Sequence, residues 1–396
     1  MRGHEDKTFP PVARQAVQDL GGSRIREVAN ASMGRADILK FWFGESDQPT
    51  PEFIRAAAIG SLASEHTFYT QNLGLPELRD AIAAYSGQLH DTPLDAGRVA
   101  VTASGVSAIM IAAQAVLSRG DRVVVVTPVW PNVVEIQHIL GAEVERVPLV
   151  ISDGRWALDL DRLLAALTPD TAMLVINSPN NPTGWTMPAE QQAQVMAHCR
   201  RLGIWVLADE VYERLVYSGE RAAPSLRRLC DGDDRLIVVN SFSKSWRMTG
   251  WRLGWLTLPL ALVGQVEKLI DYNTSCAPEF VQRGALAALT SPRGEQMVAD
   301  AVAELERSRA TLHQGLSELG GIVAPLGEGA MYAFFRSEAQ VDSVALAKRL
   351  VVEAGLGLAP GVAFGPEGEG WLRWCYAASP QRITEGLERL GRFLGR

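Results

Sequence analysis

Three short runs in the middle of the chain, Ala172–Asn177, Ile204–Ala208 and Leu236–Asn240, are apolar almost throughout instead of alternating with polar residues. A strand with one wet face alternates; a strand covered on both faces does not. Such strands need helices above and below them. Helical patterns do occur between strand candidates, at Val106–Leu117 and Ala189–Arg201, and further strand candidates lie at Val99–Thr102, Arg122–Thr127 and Leu253–Leu258. Strands that alternate with helices form crossover units, and crossover units build a largely parallel sheet. The expected fold is α/β.

The last third follows another pattern. A long helical region runs from Leu260 to Leu319, interrupted near Pro278 and Pro292, and short strand candidates follow at Met331–Arg336 and Trp371–Ala377. The chain closes on a helix with Ser379 as N-cap and Pro380 at its first position, and Ile383, Leu387, Leu390 and Leu394 share one face. A chain of 396 residues accommodates a large α/β domain and a smaller α+β domain. We expect the large, cofactor-binding domain at 49–289, the small one at 290–396, and residues 1–48 packing with the small one.

Several function classes fall away. The net charge of −7 comes without a basic stripe, so no nucleic-acid partner is expected. Cys199, Cys230, Cys276 and Cys375 form no CxxC pair, and the six histidines have no metal spacing, so neither a metal site nor a disulfide framework is expected. The N-terminus lacks the apolar core of a signal peptide, and no apolar run approaches the roughly 20 residues of a membrane span. A soluble, cytoplasmic protein is the expectation.

The polar clusters fall where strands give way to helices, which is where open α/β sheets collect their ligands. Thr102–Val106 is a small-residue turn that opens a helix, and backbone N–H groups at such a terminus suit a phosphate. Taken alone it reads as a helix cap with a turn glycine. Asn177–Gly184 carries two prolines and a glycine around Asn181, and taken alone it is a rigid turn. Asp209 ends a buried strand and needs a cation or several donors, unless it is only an N-cap; Tyr212 stands one helical turn further on.

Lys244 lies between Ser243 and Ser245, just past the run Leu236–Val239, with Arg252 eight residues later. A lysine at the mouth of a buried strand is costly unless its charge is paired or used. Desolvation or neighbouring positive charge frees such an amine to condense with a carbonyl. Ser241 and Arg252 add phosphate-binding groups, arginine bidentately. A reactive amine, a phosphate site and a buried acid point together to pyridoxal 5'-phosphate: its aldehyde on Lys244, its phosphate at Ser241, Arg252 and the 104–106 turn, its ring nitrogen on Asp209.

With those residues in place, the chain resembles the class I/II aminotransferases among the fold type I pyridoxal-phosphate enzymes, and most closely their aspartate aminotransferase group. The resemblance runs nearly end to end. It implies a seven-stranded, mostly parallel sheet covered by helices on both faces. "SFSKSWRMTGWRLG" resembles the family's lysine motif, which implies a Schiff base at Lys244 and phosphate contacts from Ser241, Ser243 and Arg252. "NNPTG" and "DEVY" imply Asn181 and Tyr212 on the ring hydroxyl and Asp209 on the ring nitrogen. "TPVWPN" implies Trp130 stacked on the ring, and "FYTQNLGLPELRDAI" implies Tyr69 reaching the phosphate of a neighbouring subunit in a homodimer. "WLRWCYA" implies Arg373 on the substrate α-carboxylate, and "FGESDQPTP" places Gly44 beside it; Trp130 and Asn181 border the substrate as well. Two departures stand out. Ser46 replaces a proline, and Val106, beside Gly105 in the same phosphate turn, offers only its backbone where a polar side chain is common, which shifts the phosphate towards Ser104, Ser243 or Tyr69. Cys375 reads as a small core residue.

The expected reaction moves an amino group from an L-amino acid to a 2-oxo acid by a ping-pong route, with Lys244 carrying the proton from Cα. A carbon–sulfur β-lyase is the rival on the same fold, because the two differ only in what leaves the carbanion. A ligand-sensing regulator is the third reading. It would need an N-terminal DNA-binding domain, for which the stretch ahead of the family-like region is expected to be too short.

Overall fold

The computed structural model describes residues 12–337 and 342–395. Its main sheet has seven strands: β1 (Val99–Thr102), β2 (Arg122–Thr127), β3 (Glu143–Pro148), β4 (Thr171–Asn177), β5 (Trp205–Asp209), β6 (Leu236–Ser241) and β7 (Gly254–Thr257). Their spatial order is β1-β7-β6-β5-β4-β2-β3. β7 is antiparallel to both neighbours, and every other pair is parallel.

Within the apolar strands, neighbouring residues feed different cores. Leu174, Ile176, Val206, Ala208 and Val238 face one cluster. Met173, Val175, Leu207, Ile237 and Val239 face another, packed against Ala108, Ile109, Ile111 and Ala112 of the helix Gly105–Val116. Each fully buried aliphatic side chain contributes roughly 1.5–3 kcal/mol, which is why no polar residue interrupts these runs. β3 is the strand that the apolar pattern does not mark. It lies at the sheet edge, pairs only with β2, and exposes Glu143 and Glu145. Charges on an edge strand block pairing with other chains, and they also erase the apolar run.

The helical stretch after the sheet resolves into Leu260–Thr274, Glu279–Thr290 and Pro292–Glu318, broken at the two prolines. A second, antiparallel sheet orders Ile322–Val323, Tyr332–Ser337, Leu372–Cys375 and Ala359–Pro360. The helix Pro380–Phe393 closes the chain; the Ser379 hydroxyl accepts from the Arg382 N–H at 3.4 Å, and Ile383 and Leu390 are buried. Near the N-terminus, Leu39–Lys40 pairs in parallel with Leu356–Gly357, and Lys348 reaches Glu27 at 2.6 Å. Among the described residues no helix is long and apolar enough to cross a membrane.

Candidate active site

Five strand ends meet at one edge of the main sheet. β1 leads to Ser104–Val106, β2 to Trp130, β4 to Asn181, β5 ends on Asp209, and β6 leads through Ser241 to Lys244. Because β7 runs the other way, its beginning lies at the same edge and brings Arg252 there. The parallel topology therefore gathers residues that are far apart in sequence. All of them except Ser104 border a cavity of about 720 Å³.

Lys244 and Asp209 both line it. Lys244 Nζ donates to the Gly44 carbonyl at 2.6 Å, and burial, reinforced by Arg373 and Arg252, pushes its amine down to about 8. Among the described residues Asp209 has no basic side chain within ion-pair distance and its carboxylate accepts only from the Val211 N–H at 3.3 Å; burial pushes its carboxyl up to about 7. An amine that gives up its proton more readily than an ordinary lysine and an acid with no cationic side chain beside it are what an aldehyde and a cationic ring nitrogen require. The chain's own residues fit the cofactor.

Arg373 shows the opposite deficit. It is buried, donates to Asn181 Oδ1 at 3.0 Å and to the Trp42 carbonyl, and leaves Nε without a partner. Its guanidinium lies 4.5 Å from the Tyr332 ring centroid and 4.9 Å from that of Phe364, and among the described residues no carboxylate is within ion-pair distance. A buried cation without a counter-ion is strongly disfavoured.

Gly105 and Val106 open the helix Gly105–Val116 and line the cavity with Ser241, Ser243 and Arg252. The first N–H groups of a helix have no partner inside it. Ser104 sits at φ 128°, a left-handed-side conformation that costs about 1–3 kcal/mol and persists only where surroundings enforce it. Its hydroxyl caps the helix through the Ser107 N–H at 3.1 Å, so it stands just behind the cavity wall. Gly254 explains the tightness here: a Cβ on it would lie 2.7 Å from the Gly105 nitrogen and 2.8 Å from the Asn240 carbonyl oxygen.

The family follows from comparison. Residues 36–390 match the family Aminotransferase class I and II. The chain belongs to that family. The aminotransferase is 35% identical to an aspartate aminotransferase of Streptomyces avermitilis over 97% of this chain and 98% of that one. It is 31% identical to an aspartate aminotransferase of Pyrococcus horikoshii, with 94% of both chains covered. Among solved structures, the aspartate aminotransferase of Thermus thermophilus with maleate superposes at a TM-score of 0.90, with 32% identity over 97% of this chain and all 100% of that one. These likenesses establish the α/β fold with its seven-stranded sheet and the transaminase activity of this enzyme.

Of the residues singled out from the sequence, twelve line the cavity: Gly44, Gly105, Val106, Trp130, Asn181, Asp209, Tyr212, Ser241, Ser243, Lys244, Arg252 and Arg373. Ser104 and Tyr69 do not: Ser104 is buried and Tyr69 is 88% exposed on the surface of this chain. The aminotransferase also places Asn177, Val211 and Tyr332 in the wall, which sequence reasoning did not single out. Val211 sits inside the quoted DEVY and could have been read from it. Asn177 ends the buried strand β4; its amide donates to the Asp209 carbonyl at 3.1 Å and its Oδ1 accepts from the Asn181 N–H at 2.8 Å. Tyr332 had no local signal, since Met331–Phe335 reads only as buried strand.

Proposed function

We propose that this aminotransferase passes the amino group of an L-amino acid to a 2-oxo acid in two half-reactions of a ping-pong cycle, with pyridoxal 5'-phosphate held covalently on Lys244. One observation carries the reading: a single cavity holds a buried acid without a cation, Asp209, a buried cation without an acid, Arg373, and an amine pushed down to about 8, Lys244. When bound, the cofactor supplies an electron sink that lets the substrate Cα–H bond ionise.

The protein's part is binding, orientation and proton handling. Asp209 keeps the ring nitrogen cationic. Asn181 and Tyr212 face the ring hydroxyl, Asn181 with its amide N–H because its oxygen is taken by Arg373. Trp130 and Val211 offer apolar surface for stacking. Gly105, Val106, Ser104, Ser241, Ser243 and Arg252 hold the phosphate, joined by the partner's Tyr69 in a cytoplasmic homodimer. Arg373 and Gly44 fix the substrate α-carboxylate, and such fixing supplies several kcal/mol of barrier reduction. Lys244 Nζ takes the proton from the substrate Cα, a task suited to an amine that titrates near working pH. The same reading assigns cofactor binding to a large domain at 49–289, with 290–396 and 1–48 forming the smaller one.

Relatives of similar identity are named for aspartate, aromatic amino acids and valine with pyruvate, so the donor is left as an L-amino acid. The test is a single half-reaction. Each amino acid alone, added to enzyme loaded with the cofactor, should turn it into its amine form with one equivalent of 2-oxo acid released. Pyruvate and ammonia released from a cysteine conjugate with no amine form would instead establish the β-lyase.

A further inference from the structure

Tyr332 lies in the strand Tyr332–Ser337 of the second sheet, fully buried, yet its side chain reaches the cavity. Three contacts converge on it. Its hydroxyl is 2.7 Å from the Tyr212 hydroxyl. Its ring face carries the Arg373 guanidinium at 4.5 Å. Gly44 packs so closely that a Cβ there would overlap the Tyr332 hydroxyl, and the Gly44 carbonyl is the acceptor for Lys244 Nζ. One side chain therefore touches the tyrosine proposed for the ring hydroxyl, the arginine proposed for the substrate carboxylate, and the backbone that holds the lysine.

The geometry points to Tyr332 as a positioning residue with two separable parts: its hydroxyl sets the donor strength of Tyr212, and its ring sets the plane of Arg373. This rests on the roles of Tyr212 and Arg373 proposed above. Burial drives both tyrosine hydroxyls above their ordinary range, so both stay protonated through the working pH. Within a chain of two hydroxyls only one proton lies between the oxygens. When Tyr332 donates to Tyr212, the Tyr212 proton is free to turn outward, and accepting a bond makes it a stronger donor. It then favours the ionised form of an oxygen bound to it. On the other side, a guanidinium held between two aromatic faces keeps its fork flat for bidentate recognition of a carboxylate.

The test uses full-length enzyme loaded with pyridoxal 5'-phosphate and reads two quantities. The first is the pH midpoint of the bound cofactor's absorbance change; the second is KM and kcat for amino acid in the half-reaction. Tyr332→Phe keeps the ring and should move the midpoint up by about one pH unit, with KM within about twofold of wild type. Tyr332→Leu removes the ring face and should raise KM about tenfold or more. In a Tyr212→Phe background, Tyr332→Phe should add no further shift of the midpoint. A Tyr332→Phe enzyme that titrates like wild type, or a shift that persists unchanged without the Tyr212 hydroxyl, overturns the first part. An unchanged KM in Tyr332→Leu overturns the second. Wild-type protein that takes up no cofactor would sink the site assignment itself and this inference with it.

Discussion

Asp209 and Lys244 are shifted in opposite directions by one cause, the removal of water from a charged group. For Asp209 the folded value of about 7 lies above the ordinary 3.8. Between those values the native chain binds a proton that the unfolded chain has released. The stability this contributes is complete below the lower value and is lost as pH rises through the upper one. For Lys244 the folded value of about 8 lies below 10.5, so across that window the unfolded chain binds the extra proton and stability rises with pH. The cofactor-free enzyme should therefore lose stability between pH 5 and 7, and Asp209→Asn should lose less, by on the order of 2 kcal/mol. Some loss remains in that variant because Glu210 is also pushed up to about 7 by burial. Calorimetry across pH checks this, and parallel curves for the two proteins would contradict it.

The elements that carry the site are anchored from behind. The segment after β5 turns Asp209 and Tyr212 to the cavity while Glu210 and Glu213 face inward. Glu210 accepts from the Ser225 hydroxyl at 2.7 Å and the Leu226 N–H at 3.0 Å; Glu213 pairs with His90 at 2.9 Å. These three ionisable side chains lie within 4.8 Å of one another, and both carboxylates and the histidine Nε2 are committed to protein partners. At the start of the helix Gly105–Val116, the fit of β7 against the 104–105 turn is the controlling contact. Gly254→Ala should separate them, cost about 1–3 kcal/mol of stability, and weaken cofactor binding at least tenfold while substrate affinity of the loaded enzyme changes less. Equilibrium dialysis against pyridoxal 5'-phosphate reads the effect; unchanged affinity would mean that the turn does not hold the phosphate. Sequence reasoning located the strands of this layer because their burial shows as apolar runs. It passed over β3, whose edge position lets Glu143 and Glu145 face water.

On the scale of the molecule, Tyr69 is 88% exposed on its own chain and lines no part of the cavity, so its proposed role depends on a second subunit. If the partner's Tyr69 completes the phosphate site, two defective proteins should complement. Lys244→Ala keeps Tyr69 but loses its own amine, while Tyr69→Ala keeps Lys244 but lacks the donated hydroxyl. Mixed after subunit exchange, they should form one complete site per heterodimer and regain tight cofactor binding and activity above the sum of the parts. A strictly additive mixture would show that Tyr69 acts within its own chain or not at all.

The sequence by itself determined the class of fold, because burial on both faces forces unbroken apolar strands. It also marked the candidates for chemically active side chains, because Lys244, Asn181 and Arg252 stand in loops beside small residues or prolines and Asp209 ends an apolar run, each a local trace. Only the tertiary structure decided which groups lack partners. Nothing in "WLRWCYA" tells that Arg373 finds no acid, nor does "MYAFF" tell that Tyr332 meets Tyr212 and Gly44. Those are contacts between residues more than a hundred positions apart, and an unmet charge or a shared hydroxyl exists only once packing has chosen its neighbours.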